Sequence, residues 1–169
     1  MADESDEARA LALLAESAPL AVDEPARARF LAALEAERYL PFCRELAARF
    51  ALAETAMRAL LATLVDPAVW TPGEPPVHSF VDFTPGPALS PLRAGFVRLS
   101  GGAGIARHQH ADRELTMVLE GAMVDDQGRR FVPGDVLEMA SGSVHTLTVP
   151  EGIETVVALL HGRIEVLGR

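Results

Sequence analysis

Two histidines and a glutamate stand close together in the segment GAGIARHQHADRELTMVLEG. His108 and His110 are two residues apart, so on a β-strand both imidazoles point to the same face. Glu114 has the same parity as His108, and a short loop would bring its carboxylate to the same point. His145, which follows a Ser-Gly-Ser turn at the start of another apolar stretch, supplies a third imidazole.

Three imidazoles and one carboxylate suit a divalent transition metal such as Zn, Fe, Mn, Ni or Cu. An isolated His-x-His pair is equally typical of an exposed polar strand, and that interpretation competes with the first. The positions of Glu114, Gly121 and His145 favour the metal site. The sequence therefore predicts one metal bound by His108, His110, Glu114 and His145.

Five further residues carry reactive or charged groups. His78 lies in a proline-rich connector, where a surface position is favoured, and His161 is expected on an edge strand rather than at the barrel mouth. Cys43 is expected to fill a helix interface as a small apolar residue. Arg107 and Arg113 flank the ligands, and either attract an anionic ligand or are solvated. The sequence assigns no catalytic residue.

Helical periodicity dominates residues 1–66, which we predict to be a helical region. Apolar residues recur at helical spacing in EARALALLAES, in a helix that begins near Pro25, in PFCRELAARFAL and in ETAMRALLATLV. Asp66-Pro67 ends the last of these. The apolar stripes need a partner surface, which is another helix, the C-terminal half, a second copy or another protein.

Residues 67–169 change to short strands. A connector rich in proline and glycine comes first, and Trp70 is expected to anchor it to the following domain. From residue 95 onward, strands with alternating faces recur roughly every 8–12 residues, as in a β-sandwich or small barrel. The predicted fold class is α+β, with a helical N-terminal segment followed by a barrel.

Charge and composition disfavour several classes of protein. The net charge is −9, and neither half is basic, so direct binding to nucleic acid is disfavoured. An acidic helical half would suit a basic protein partner. The single cysteine excludes an internal disulfide. The acidic start MADESDEARA is unlike a signal peptide, and no apolar run reaches the ~18 residues of a membrane span, so a cytoplasmic location is expected.

The segment from Gly102 to Gly121 resembles the first cupin motif, G-x5-H-x-H-x3,4-E-x6-G, at every defined position. GDVLEMASGSVHTLTV is similar to the second motif, G-x5-P-x-G-x2-H-x3-N, but Ala140 replaces the proline and Val149 the asparagine. Neither position supplies a metal ligand in that family. The resemblance implies a cupin double-stranded β-helix barrel, often dimeric, with a metal inside.

A wider stretch, residues 8–165, looks like the C-terminal part of ChrR-type anti-sigma factors. The likeness is carried by runs such as RYLPFCRELAARFALAETAMRALLATLVDPAVW and VLEGAMVDDQGRRFVPGDVLEMASGSVHTL. In that group the cupin domain follows a helical domain that binds a sigma factor and holds a zinc ion through a His-x3-Cys-x2-Cys motif. This sequence has no such motif, because Cys43 has no neighbouring cysteine and no histidine precedes His78.

The resemblance implies a metal-binding regulatory or sensor protein, rather than an enzyme, that acts on transcription through a partner such as a sigma factor. The helical region would bind that partner, and a small molecule or oxidant would act at the metal. Zinc is the expected metal, with Fe, Mn or Ni as alternatives, and a homodimer is expected. Two other functions stay open: a small cupin dioxygenase, and a metal-stabilised oligomerisation module.

Overall fold

The computed structural model describes residues 23–167, in which helices precede an antiparallel β-structure. The chain divides into two units, residues 1–35 and 36–169. Helix α1, Glu24–Glu37, begins next to Pro25 as predicted and accounts for most of the described part of the first unit. The helix predicted over EARALALLAES lies outside the described residues. No helix within the described range is long and apolar enough to cross a membrane.

Two short helices open the second unit. A 3-10 turn at Leu40–Phe42 leads into α2, Cys43–Arg49, and α3 spans Glu54–Thr63. Two more 3-10 turns follow, at Pro67–Val69 and Pro87–Leu89. The buried residues of the helices are spaced at one face: Cys43, Leu46 and Ala47 in α2, and Met57 and Leu61 in α3. The apolar stripes of these two helices therefore face a core, as their periodicity predicts.

Strands make up most of the rest of the second unit. Their bounds are β1 Thr71–Pro72, β2 Val77–Phe83, β3 Arg93–Leu99, β4 Gly104–His110, β5 Glu114–Glu120, β6 Met123–Asp125, β7 Arg130–Phe131, β8 Val136–Met139, β9 Val144–Thr148, β10 Thr155–His161 and β11 Ile164–Val166. The first sheet has the order β1-β2-β3-β10-β5-β8, and the second has β11-β4-β9-β6-β7. All the pairings between neighbours are antiparallel.

The two sheets enclose one apolar core. Leu99, Val118 and Val157 of the first sheet pack in one buried cluster with Met123 and Leu147 of the second. This arrangement confirms the α+β class with a barrel-like pair of sheets. The segment HQHADRELTMVLEG does not form one strand, because β4 belongs to the second sheet and β5 to the first.

The opposite face of the first sheet is covered by the helices of the same unit. Phe96, Met117 and Ala158 lie in a second buried cluster with residues of α2 and α3, among them Leu46 and Met57. These sheet residues alternate along their strands with the ones that face the barrel interior, as strand geometry requires. The division predicted between residues 66 and 67 stays a prediction; α2 and α3 share a core with the barrel strands.

Candidate metal centre

The four predicted ligands meet inside the barrel. His108 and His110 project from β4 with the expected parity, and His145 of β9 lies directly opposite His108 in the strand register. Glu114 is the first residue of β5, so it reaches the group from the other sheet. All four side chains are at most 8% exposed. One ligand atom from each lies within 4.8 Å of the others.

The three imidazoles form a compact triangle. Their ring centroids are 4.6 to 4.9 Å apart, and each pair of rings is inclined by 61 to 69°. The Nε2 atoms of His108 and His145 are 3.0 Å apart. Nδ1 of His110 lies 3.4 Å from Oε2 of Glu114. Nitrogen atoms and a carboxylate thus converge on a single point, as the ligands of a metal ion do.

Hydrogen bonds to neighbouring groups orient two of these ligands. Nδ1 of His108 donates to the carbonyl oxygen of Ala106 at 2.8 Å, which leaves the lone pair of Nε2 directed at the centre. The Thr116 hydroxyl donates to Oε1 of Glu114 at 3.2 Å. Sequence reasoning missed Thr116, although its position two residues after Glu114 on the same strand places it on the same face.

Two imidazole nitrogens of the site form no hydrogen bond within the described part of the chain. Nε2 of His110 and Nδ1 of His145 are buried, and neither has a hydrogen-bond partner among the described residues. A buried polar nitrogen without a partner is costly, so native structures seldom contain one without a bound ligand, water or ion. Both histidines therefore have a nitrogen free to bind a metal or a hydrogen-bond partner.

Burial disfavours the charged forms of His145, His110 and Glu114. Burial, aided by repulsion from His108 and His110, lowers the pKa of His145 to about 4. Burial also lowers the pKa of His110. It raises the pKa of Glu114 to about 7, although the Thr116 hydroxyl acts in the opposite direction. The contact between His110 and Glu114 is therefore no stable ion pair, and the neutral imidazoles keep lone pairs for a cation.

These observations fit a divalent transition metal. Three neutral imidazoles and one carboxylate are a mixed nitrogen and oxygen set, which several such metals accept. A cation at the centre would favour the ionised form of Glu114 and offset the cost of burying that charge. The four residues can hold a metal whose identity the donor set leaves open.

The other candidate residues lie apart from this cluster. His78 is exposed, and Arg107 and Arg113 are exposed as well. His161 is half-buried at the end of β10, an interior strand between β3 and β5 rather than the expected edge strand. It lies close enough to His110 to help lower the pKa of that imidazole, while its own Nδ1 donates to the carbonyl oxygen of Gly162 at 2.9 Å.

Two predictions about packing are confirmed. Cys43 is buried in the cluster shared by the helices and the first sheet, and its thiol donates to the carbonyl oxygen of Glu54 at 3.4 Å. Trp70 is buried in the same cluster. Its indole nitrogen donates to the carbonyl oxygen of Leu64 at 2.9 Å, and the Arg98 guanidinium lies 4.2 Å above its ring. Trp70 therefore fastens the connector to β3.

Comparisons with known proteins agree with this architecture. The structure of the anti-sigma factor ChrR in complex with SigE from Rhodobacter sphaeroides has a TM-score of 0.56 and 22% identity, over 92% of this chain and 76% of that one. An RmlC-like cupin protein from Ralstonia eutropha has a TM-score of 0.51 and 18% identity, over 59% of this chain and 66% of that one.

An acetylacetone dioxygenase from Acinetobacter johnsonii has a TM-score of 0.51 and 14% identity, over 61% of this chain and 74% of that one. At these identities the likenesses show a common fold. No curated protein matches the chain. The family model of the ChrR cupin-like domain matches residues 80–164, half of the chain, including all four members of the histidine and glutamate cluster. The chain therefore belongs to the family of ChrR cupin-like domains.

Proposed function

We propose that this protein is a metal-dependent regulator of transcription. In this proposal the barrel, residues 67–169, binds one zinc ion through His108, His110, Glu114 and His145. A small molecule or an oxidant acts at that zinc. The helical region, residues 1–66, binds a sigma factor and transmits the state of the barrel to it.

The observation that carries the proposal is the contact between the helices and the sheet that holds Glu114. Glu114 opens β5, and Met117 of the same strand packs in one buried cluster with Leu46 of α2 and Met57 of α3. Closely packed interiors transmit displacements instead of absorbing them. A change in coordination at Glu114 therefore has a short route through β5 to the helices.

A second contact joins the residues just before α2 to the C-terminal end of β5. The Tyr39 hydroxyl donates to Oε2 of Glu120 at 2.8 Å, and Nη1 of Arg38 donates to the same oxygen at 3.1 Å. The first residue of β5, Glu114, therefore belongs to the proposed metal site, and its last residue, Glu120, is hydrogen-bonded to Arg38 and Tyr39. The likeness to ChrR supports a sigma factor as the partner, since ChrR was solved in complex with SigE.

The test is co-purification of the full-length chain with the sigma factors encoded near its gene. A His108→Ala variant removes a proposed zinc ligand, and His78→Ala replaces an exposed histidine as the matched control. We expect the wild-type chain and the His78 variant to retain a sigma factor with the same zinc dependence, and the His108 variant to lose that dependence. The regulatory proposal is wrong if no sigma factor binds to the wild-type chain in its zinc-loaded or its metal-free form.

Zinc and a homodimer are parts of the same proposal. Metal analysis of the purified wild-type chain measures the first, with about one zinc per chain expected. Sedimentation equilibrium measures the second, with a mass twice that of the 18.0 kDa chain expected. Iron, manganese or nickel in place of zinc would keep the site and change its chemistry.

A small cupin dioxygenase is the second candidate function. An apolar cavity beside His108 and Glu114 favours it, because an oxygenase needs room for an organic substrate next to its metal. Oxygen consumption by the Fe(II)-loaded protein with a panel of β-diketones and thiols distinguishes the two functions. Turnover of any of them supports the enzyme, whereas a flat response together with sigma-factor binding supports the regulator.

A further inference from the structure

A cavity of about 310 Å³ lies in the barrel next to the metal cluster. His108 and Glu114 are the two ligands of the four that line it. The cavity reaches solvent beside β11, where the lining residues Ile164 and Val166 are 48% and 63% exposed. A molecule entering between β11 and the first sheet would therefore arrive at the Glu114 and His108 side of the cluster.

The walls of the cavity are almost wholly apolar. Thr116 is the one lining residue with a polar side chain besides His108 and Glu114, and its hydroxyl is already bonded to Glu114. Leu99, Leu147 and other aliphatic side chains form the rest of the wall. Among the described residues that line the cavity there is no arginine, asparagine or glutamine. A sugar, a phosphate ester or a zwitterion would leave several polar groups unpaired there, at a cost of about 1–3 kcal/mol each.

A metal ion at the inner end of the cavity would favour a ligand with one negatively charged oxygen. A divalent cation bound by three neutral imidazoles and the Glu114 carboxylate leaves one net positive charge in a buried site. One negatively charged oxygen on the ligand would neutralise this charge. A second charge on the ligand would have no partner among the described lining residues.

We propose that the barrel binds a small apolar molecule with one acidic oxygen, such as an alkylphenol, which coordinates the metal as a monoanion. This inference rests on the proposed metal site. The ligand O–H bond breaks on coordination, the oxygen keeps the electron pair, and the proton passes to the buffer. An engineered apolar cavity of about 150 Å³ holds benzene, so a cavity of 310 Å³ suits a molecule roughly twice that size.

Two isomers provide a direct test. 4-Butylphenol and 4-propylanisole have the same atoms and similar shapes, but only the phenol has an acidic proton. Calorimetric titration of the zinc-loaded full-length protein should give binding of the phenol at least about tenfold tighter than that of the anisole. Titrations in two buffers of different ionisation enthalpy should show the release of about one proton per phenol bound. In the metal-free protein the two isomers should bind equally.

A cavity-filling variant locates the binding. Val97 is half-buried and lines the cavity, so Val97→Phe should abolish phenol binding while the zinc content stays at the wild-type level. Val132→Phe makes the same change at a residue that is 42% exposed and outside the cavity, and should bind as wild type does. If Val97→Phe fails to fold, Val166→Asp at the exposed mouth replaces it. The new negative charge should weaken phenol binding by repulsion.

The outcomes separate this inference from the proposed function. Stoichiometric zinc with equal binding of the two isomers, or with tighter binding of glucose 6-phosphate than of the phenol, would overturn the inference and leave the metal site intact. Unchanged phenol binding in the Val97 variant would also overturn it. If the wild-type chain bound no zinc, iron, manganese or nickel, the metal site on which both depend would instead be refuted.

Discussion

Replacing Glu114 by glutamine should have opposite effects on stability with and without metal. The glutamine side chain has nearly the same shape, and its oxygen can accept the hydrogen bond that the Thr116 hydroxyl now donates to Oε1. Its amide group can donate to Nδ1 of His110, which lies 3.4 Å from the present Oε2. The change therefore removes the buried charge and leaves the packing in place.

The size of the effect follows from the pKa of Glu114, which burial raises from 4.5 to about 7. The folded chain binds this proton more tightly than the unfolded chain does. The resulting cost to the metal-free protein is absent below pH 4.5, grows as the pH rises to 7, and is constant above that. At 1.36 kcal/mol for each tenfold change in proton affinity, it reaches about 3 kcal/mol at pH 8.

We therefore expect metal-free Glu114→Gln to be more stable than wild type, by about 1 kcal/mol at pH 5 and about 3 kcal/mol at pH 8. In zinc the order should reverse, since the variant has lost its anionic ligand and the wild type gains stability from tighter zinc binding. Urea unfolding followed by the fluorescence of Trp70, the only tryptophan, measures both. Glu165→Gln, at an exposed position on β11, is the control and should change little in either state.

Three results would refute this reasoning. If the metal-free variant were less stable than wild type at pH 8, burial would not be the dominant influence on Glu114. If zinc stabilised the variant and the wild type by the same amount, Glu114 would not be a ligand. A pH-independent difference between the two metal-free proteins would likewise contradict a titrating buried carboxyl group.

Three further predictions concern the ligand set, the turn at Gly121 and the buried Tyr39. His145→Ala should weaken zinc binding by about a hundredfold or more, whereas His161→Ala should leave the zinc content unchanged; equal losses would contradict the ligand set. Gly121→Ala should destabilise the fold by about 2 kcal/mol or more in urea unfolding, because this residue has a φ of +77° and the added Cβ would meet the backbone just before β10. Burial and the hydrogen bond to Glu120 raise the pKa of Tyr39 to about 12. The tyrosinate absorbance of this only tyrosine should therefore appear near pH 12 in the folded chain, and stability should fall between pH 10 and 12; a midpoint near 10 in folded protein would contradict the buried contact.

The sequence predicts the grouping of the histidines well because strand geometry is local. His108 and His110 share a face through parity alone, and the positions of the turns suffice to begin a strand near His145. Glu114 is different, because parity does not carry through a loop that passes from one sheet to the other. The prediction included Glu114 because of its parity with His108 and a short loop, whereas in the structure it reaches the site because β5 begins at Glu114, in the opposite sheet.

The cavity could not be predicted from the sequence, because it depends on how the two sheets pack against each other. The residues that line it come from strands far apart in the chain, from Val77 in β2 to Val166 in β11. Most of these residues are aliphatic, and an aliphatic residue in a strand gives no sign that it lines a cavity. The space between them follows from how the two sheets pack together, which no local pattern encodes.

The position of the helices on the first sheet did leave a signal in the sequence. An antiparallel sheet with one solvated face alternates apolar and polar residues, whereas a strand covered on both faces is apolar throughout. The stretch TVVALL in β10 is apolar throughout and is covered on both faces. Ala158 faces the cluster shared with the helices, and its neighbour Val157 lines the cavity. A continuous apolar strand in an antiparallel barrel thus predicts a covering layer, and the stripes of α2 and α3 are the surfaces available to supply it. The same alternation places the cavity and the helices α2 and α3 on opposite faces of β10, so the proposed regulator would need to pass a signal across only one strand.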